Sequence, residues 1–138
     1  MHQSHAISLT INCTADAAYA YLVEPTNFPD WALAVGRDMR QVGPREWAVG
    51  SPNGERLVRF CPRNNLGVLD HALYRPGEEP VMMPMRVFPN GEGCELTFVY
   101  FRRTDQNDEQ FASTIEWLTS DFLALKSYLE AAIISPGR

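Results

Sequence analysis

The sequence has few cysteines, no basic surplus and no long apolar run, and each shortage removes a class of function. Cys13, Cys61 and Cys94 are odd in number and widely spaced. They suggest neither a disulfide framework nor a zinc site, and read as reduced thiols of a cytoplasmic protein. Twelve Lys and Arg against seventeen Asp and Glu leave a net charge of -5, with no basic cluster, so nucleic acid is not an expected partner. No apolar run approaches the roughly 18 residues of a membrane span. Met1 to Ala6 lacks the basic start and apolar stretch of a secretion signal. A nucleophile elbow, a phosphate-binding glycine loop and a metal-ligand cluster are all missing, so neither a metal nor a cofactor is expected. His2 and His5 sit in a terminus that reads as solvated.

What is present fits one domain over residues 1–138, with the ordinary 45% hydrophobic and 21% charged residues of a globular chain. Ala6 to Ile11 alternates apolar and polar residues, the pattern of a half-buried strand. Thr14 is a candidate N-cap for a short helix from Ala15 to Val23, with Ala18, Tyr19 and Leu22 at helical spacing, stopped by Pro25. Asn27 to Trp31 predicts a second helical turn anchored by Trp31. Strands and turns follow from about Met39 to Arg103. The strongest turn signals are Asn53-Gly54 and Asn90-Gly91, with looser ones at Asn64-Asn65 and Pro76-Gly77.

The last element is a helix. Asn107-Asp108-Glu109-Gln110 forms a variant capping box, with acidic residues where the helix dipole favours them. Phe111, Ile115, Leu118, Phe122, Leu125 and Leu129 recur at steps of four and three, drawing one apolar stripe. The helix is expected to run to about Ala132, with Pro136-Gly137 ending the chain. At 1.5 Å per residue it is about 40 Å long, enough to cross a sheet.

Paired residues in a hairpin have numbers that sum to a constant, so the turns predict a register. A type I′ turn at Asn90-Gly91 pairs Met85 with Leu96 and Arg86 with Glu95. The turn at Asn53-Gly54 pairs Trp47 with Phe60 and Val49 with Val58. A turn at Asn64-Asn65 pairs Val58 with His71 and Arg59 with Asp70. A five-residue loop ending at Pro80 places Asp70 opposite Arg86. One face then carries the charge row Arg59, Asp70, Arg86 and Glu95. The other carries Trp47, Arg56, Val58, Phe60, Leu69, His71, Leu73, Met83, Met85, Val87, Cys94, Leu96 and Phe98, and the long helix is the element large enough to cover it.

Such a covered face either fills with side chains or leaves a cavity, and the flexible Met83 and Met85 suit both. The expected lining is Trp47, Arg56, Val58, Phe60, His71, Met83, Met85, Leu96, Phe98 and Tyr100 from the strands, with Leu118, Asp121, Phe122 and Leu125 from the helix. His71 is the ionisable group expected inside, as a general acid/base, a ligand anchor or a neutral structural histidine. Asp121 borders the stripe and either orients His71, reads a polar ligand group or caps backbone. Arg56 holds a carboxylate or snorkels at a sheet edge. Tyr100 places its hydroxyl at a cavity end. Phe88, Val99, Phe101 and Met82 fall on the outer face, more apolar surface than solvent needs, which suggests a homodimer contact or an interaction module.

Several segments carry a family likeness: Thr14 to Leu22, Asn27 to Ala32, Gly67 to His71, Met85 to Gly91 and Asp121 to Lys126. With the element order, they resemble the START-like (SRPBCC, Bet v 1-like) superfamily over nearly the whole chain. The likeness is nearest to its small bacterial members of polyketide cyclase/dehydrase-like type. The resemblance implies an α+β helix-grip fold: a curved antiparallel sheet of about seven strands wrapped around a long C-terminal helix, with two short helices after the first strand. It also implies a cavity for a small apolar, lipid-like or polyketide-like molecule. No catalytic motif matches residue by residue, and the fold hosts many functions. Binding of a small hydrophobic ligand is the first expectation. A cyclase/dehydrase-like enzyme using His71, with Arg56, Asp121 or Tyr100 positioning the substrate, is the second.

Overall fold

The computed structural model describes residues 1–32, 38–50 and 54–134. Strand β1 (Ser4–Ile11) leads into helix α1 (Ala15–Leu22). Thr14 caps α1, its Oγ1 accepting from the Ala17 N–H at 3.1 Å. A 3₁₀ turn over Pro25–Asn27 runs straight into the short helix α2 (Phe28–Trp31). Strands β2 (Met39–Gly43), β3 (Glu46–Val49), β4 (Arg56–Phe60), β5 (His71–Tyr74) and β6 (Val81–Met83) form one antiparallel sheet in chain order. Strands β7 (Met85–Asn90) and β8 (Gly93–Phe101) join β1 in a second sheet, ordered β1-β8-β7.

Eight strands therefore stand where about seven were expected. The extra break is at Pro84, which has no N–H to donate to a ladder. The β5–β6 register puts Asp70 opposite Pro84, and the Asp70 carboxylate accepts the Met85 N–H at 2.9 Å. Beyond Pro84 the chain changes partner, from β5 to β8.

Helix α3 (Asp108–Ile134) has 27 residues and closes the molecule. Its capping box is complete: the Gln110 N–H donates to Asn107 Oδ1 at 2.8 Å, and the Asn107 N–H donates to Gln110 Oε1 at 2.9 Å. Phe111, Phe122, Leu125 and Leu129 are buried, while Ile115 and Leu118 are half-buried. The expected chain end at Pro136-Gly137 lies outside the described residues. Alpha helix on curved antiparallel sheet, with two short helices after the first strand, is the helix-grip architecture. Among the described residues, no helix is long and apolar enough to cross a membrane.

The predicted pairings are each displaced by two residues. Trp47 pairs with Val58, Phe60 with His71, His71 with Met83 and Met85 with Phe98. At the β7–β8 turn the central residues are Gly91 and Glu92, with positive φ at Gly91, as in a type II′ rather than a type I′ turn. The β4–β5 connection is a wide loop instead of a tight turn. Asn64 holds it, accepting from the Leu66 and Val68 N–H groups, both at 3.0 Å, and donating to the Val68 carbonyl at 2.9 Å. Of the Asn53-Gly54 turn, only Gly54 lies within the described residues. A slip of two leaves every side chain on its expected face, because strand side chains alternate with period two.

The slip does dissolve the charge row. Arg59 faces Ala72 and lies over the Tyr74 ring at 5.6 Å. Arg86 faces Thr97 and lies over the Phe88 ring at 4.6 Å. Glu95 accepts from Thr10 at 2.6 Å and Ser8 at 3.1 Å. Asp70, Arg59, Arg86 and Glu95 form no ion pair with one another. On the same outer faces Phe88, Phe101 and Met82 are exposed, and Val99 is half-buried.

Candidate functional site

Alternation along β4 and β5 turns Phe60 and His71 inward as direct neighbours. Helix α2 brings Phe28 and Trp31 onto them, and β8 supplies Phe98. The His71 ring then stands 5.6 Å from Phe28, 5.9 Å from Trp31, 6.1 Å from Phe60 and 6.5 Å from Phe98. Phe98 and Trp31 in turn reach Phe122 of α3, at 5.1 and 6.2 Å. An imidazole inside an aromatic cluster thus links both sheets to the long helix.

His71 Nδ1 lies 3.1 Å from the Leu69 carbonyl. A carbonyl only accepts, so Nδ1 carries the proton and Nε2 presents a lone pair. Among the described residues Nε2 has no hydrogen-bond partner. The Leu69 carbonyl therefore orients this ring through Nδ1.

Burial pushes the His71 imidazole below its ordinary value, while the Leu69 carbonyl and the Asp70 charge pull weakly the other way. The unfolded chain takes up this proton near pH 6.5, the folded chain only at lower pH. Stability is thus full above about pH 6.5 and falls below it, by up to about 1.4 kcal/mol per pH unit until the folded imidazole titrates. Glu95, Asp105 and Glu130 are held below the usual carboxylate range by hydrogen-bond donors, so they titrate under this window. Urea midpoints at pH 7.5 and 5.5 are expected to drop clearly for the wild type and less for His71→Gln. Equal drops would show that the buried imidazole is not the group responsible.

Two cavities flank Trp31. One, about 10 Å³, is bordered by His71, Asp70, Phe60 and Arg45, and has the size a single water needs. The other, about 80 Å³, lies between α2 and α3 and is lined by Tyr21, Asp30, Trp31, Asp121, Leu125 and Tyr128. Asp121 therefore belongs to a compartment separated from His71 by the Trp31 ring. The Trp31 Nε1–H is buried and has no hydrogen-bond partner.

The remaining expected residues divide into three groups. Val58, Met85 and Leu96 are fully buried, and they floor the core beneath the cluster. Trp47, Arg56, Leu73 and Met83 are half-buried on the inner face of the five-stranded sheet. Tyr100 is buried, but its hydroxyl is committed: it donates to Gln106 Oε1 at 2.9 Å, and its ring stacks on Phe111. Cys94 lies against Cys13, and burial first and then that neighbour push its thiol up to about 12, too high for a nucleophile. Among the described residues no group of three or more His, Cys, Asp or Glu could hold a metal ion.

Arg45 escaped the sequence reading. It adopts a positive φ of 60° in the β2–β3 turn and donates to the Cys61 carbonyl at 3.2 Å and the Val23 carbonyl at 3.3 Å. Its guanidinium stands 6.0 Å over the Phe60 ring and so closes one end of the histidine cluster. Pro44-Arg45 has no glycine or asparagine to announce a left-handed residue, which left it without a signal.

No family model matches the sequence, and a search of curated proteins finds no match. Solved structures do match. The Zhui aromatase/cyclase from Streptomyces sp. R1128 superposes with a TM-score of 0.75 at 13% identity, over 99% of each chain. Ara h 8.0201 gives 0.68 at 13% identity, over 94% of this chain and 98% of its own. Truncated norcoclaurine synthase from Thalictrum flavum gives 0.63 at 13% identity, over 100% and 96%. The fold shared with these proteins is the helix-grip fold. At these identities the likeness concerns the fold.

Proposed function

We propose that this chain binds one small apolar molecule, lipid-like or polyketide-like, between the five-stranded sheet and α3. The observation that carries this is an incompletely covered apolar face. Helix α3 rests against β1 and α2, while Trp47, Leu73 and Met83 on the inner face of β3, β5 and β6 stay half-exposed. Apolar walls with few polar groups are the usual make-up of a ligand site. Structures of the same fold include an aromatase/cyclase and a norcoclaurine synthase, which fits the reading. The three thiols are free, which suits a reducing, cytoplasmic setting.

A cyclase/dehydrase-type reaction is the second reading, favoured by the unpaired Nε2 of a neutral His71 at the centre of the aromatic cluster. That lone pair could accept a proton from an enolisable or hydroxylated substrate, with Nδ1 steadied by Leu69.

One experiment addresses both. Neutral fatty alcohols and flat polycyclic phenols are screened by thermal shift and then incubated with the protein to look for products. Saturation at a hundred times Kd stabilises by about 2.7 kcal/mol, a shift of several degrees. A screen without any shift, on protein that releases nothing into organic solvent, would sink the binding reading. For a compound that is converted, His71→Ala is expected to slow turnover by about 10²–10⁴-fold. A loss of only a few-fold would remove His71 as the acid/base and leave binding intact.

A further inference from the structure

On the inner face of the five-stranded sheet, Arg56 is a cation that its surroundings do not satisfy. Arg56 alternates inward with Val58 and Phe60 along β4. It is half-buried, yet its Nε–H is fully buried and has no hydrogen-bond partner. Among the described residues no carboxylate lies within ion-pair distance of it.

A second donor stands beside it in the same condition. Trp47 pairs with Val58 across β3 and β4, so Arg56, two residues on, is its diagonal neighbour on the same face. Diagonal neighbours are within reach of aromatic and long side chains. The Trp47 Nε1–H is also buried and unpaired. An orphaned buried donor is costly, so two on adjacent strands are a pattern that a bound acceptor would relieve.

The electrostatic setting points the same way. Continuing the β4–β5 ladder from the Leu57–Tyr74 pair puts Arg75 opposite Arg56. Burial, and then the like charges of Arg75 and Arg103, push the Arg56 guanidinium down, while Glu78 has the smallest, opposing effect. In a chain of net charge -5, Arg56 thus has two further arginines near enough to act on it.

We propose that the ligand is an amphipathic acid, whose carboxylate is held by the Arg56 guanidinium and the Trp47 indole N–H while its apolar body lies along the inner face. The inference rests on the binding reading above and narrows it to a substrate class. A guanidinium fork suits the two oxygens of a carboxylate, and burial strengthens such a bond.

Matched pairs test it. Decanoate with 1-decanol, and 2-naphthoate with 2-naphthol, are titrated calorimetrically at pH 7.5. Within at least one pair the acid is expected to bind wild type about tenfold or more tightly than the alcohol. Arg56→Met, which keeps the apolar stem, should bring that ratio to about one, and Trp47→Phe should reduce it partway. Thermal melts of both variants confirm that they are folded. Alcohols and acids binding equally to wild type would overturn this proposal and leave the apolar site standing, as would a ratio unchanged in Arg56→Met. No binding of any of the four would overturn both.

Discussion

Trp31→Ala is expected to lower the unfolding free energy by about 3–5 kcal/mol, the usual cost of emptying a buried Trp site. Trp31 is 8% exposed and touches two elements besides its own. Its ring meets His71 of β5 and Phe122 of α3, and lies edge-on to Phe28 at 5.1 Å. A domain of this size is stable by about 5–15 kcal/mol, so about a fifth or more of the total is at stake. Removing the ring also merges the two cavities it separates, and collapse there is opposed by both sheets. Trp31→Phe should cost much less, because the indole N–H it deletes has no partner to lose. Urea titrations of the three proteins measure this. A Trp31→Ala loss below about 1 kcal/mol would mean that α2 does not clamp α3 to the sheet.

Gly67→Ala is expected to be nearly as damaging, for a backbone reason. Gly67 has a φ of +73°, and a Cβ built there would lie 2.1 Å from the Val87 carbonyl oxygen. The neighbour cannot step aside, because the Val87 N–H donates to the Gly67 carbonyl at 2.9 Å and holds the two segments together. Strain and lost pairing together should cost about 3 kcal/mol or more, a fall of about 10 °C in Tm. Gly91, with a φ of +58°, meets nothing within 4 Å and supplies the control. Asn, which tolerates a left-handed backbone, should be accepted at 91 and refused at 67. Equal melting losses for the two Asn variants would show that close approach to Val87 is not what position 67 requires.

Much of the architecture was legible because it depends on short-range rules. The capping box at Asn107-Gln110 and the stripe from Phe111 to Leu129 involve residues three and four apart, and they locate α3 without reference to anything else. Strand faces were legible too, since alternation survives a slip of two residues. That parity is why His71 was expected inside and is buried at 6% exposure, although each of its predicted partners is displaced.

Tertiary structure decided whatever depends on how two distant segments meet. Turn residues mark where a chain reverses without stating the size of the loop, so the pairings moved by two and the Arg59–Asp70–Arg86–Glu95 row did not form. The break at Pro84 was decided by which strand could satisfy the chain on either side of a residue with no N–H. The division of the interior by Trp31, which separates Asp121 from His71, was set by the docking of a four-residue helix. No pattern in so short a segment encodes that contact. The commitment of the Tyr100 hydroxyl to Gln106, and the lack of a partner for Arg56 and Trp47, arose in the same way. Local sequence says which groups a side chain carries and which face it takes, whereas a hydrogen bond exists only once packing has brought donor and acceptor within about 3 Å.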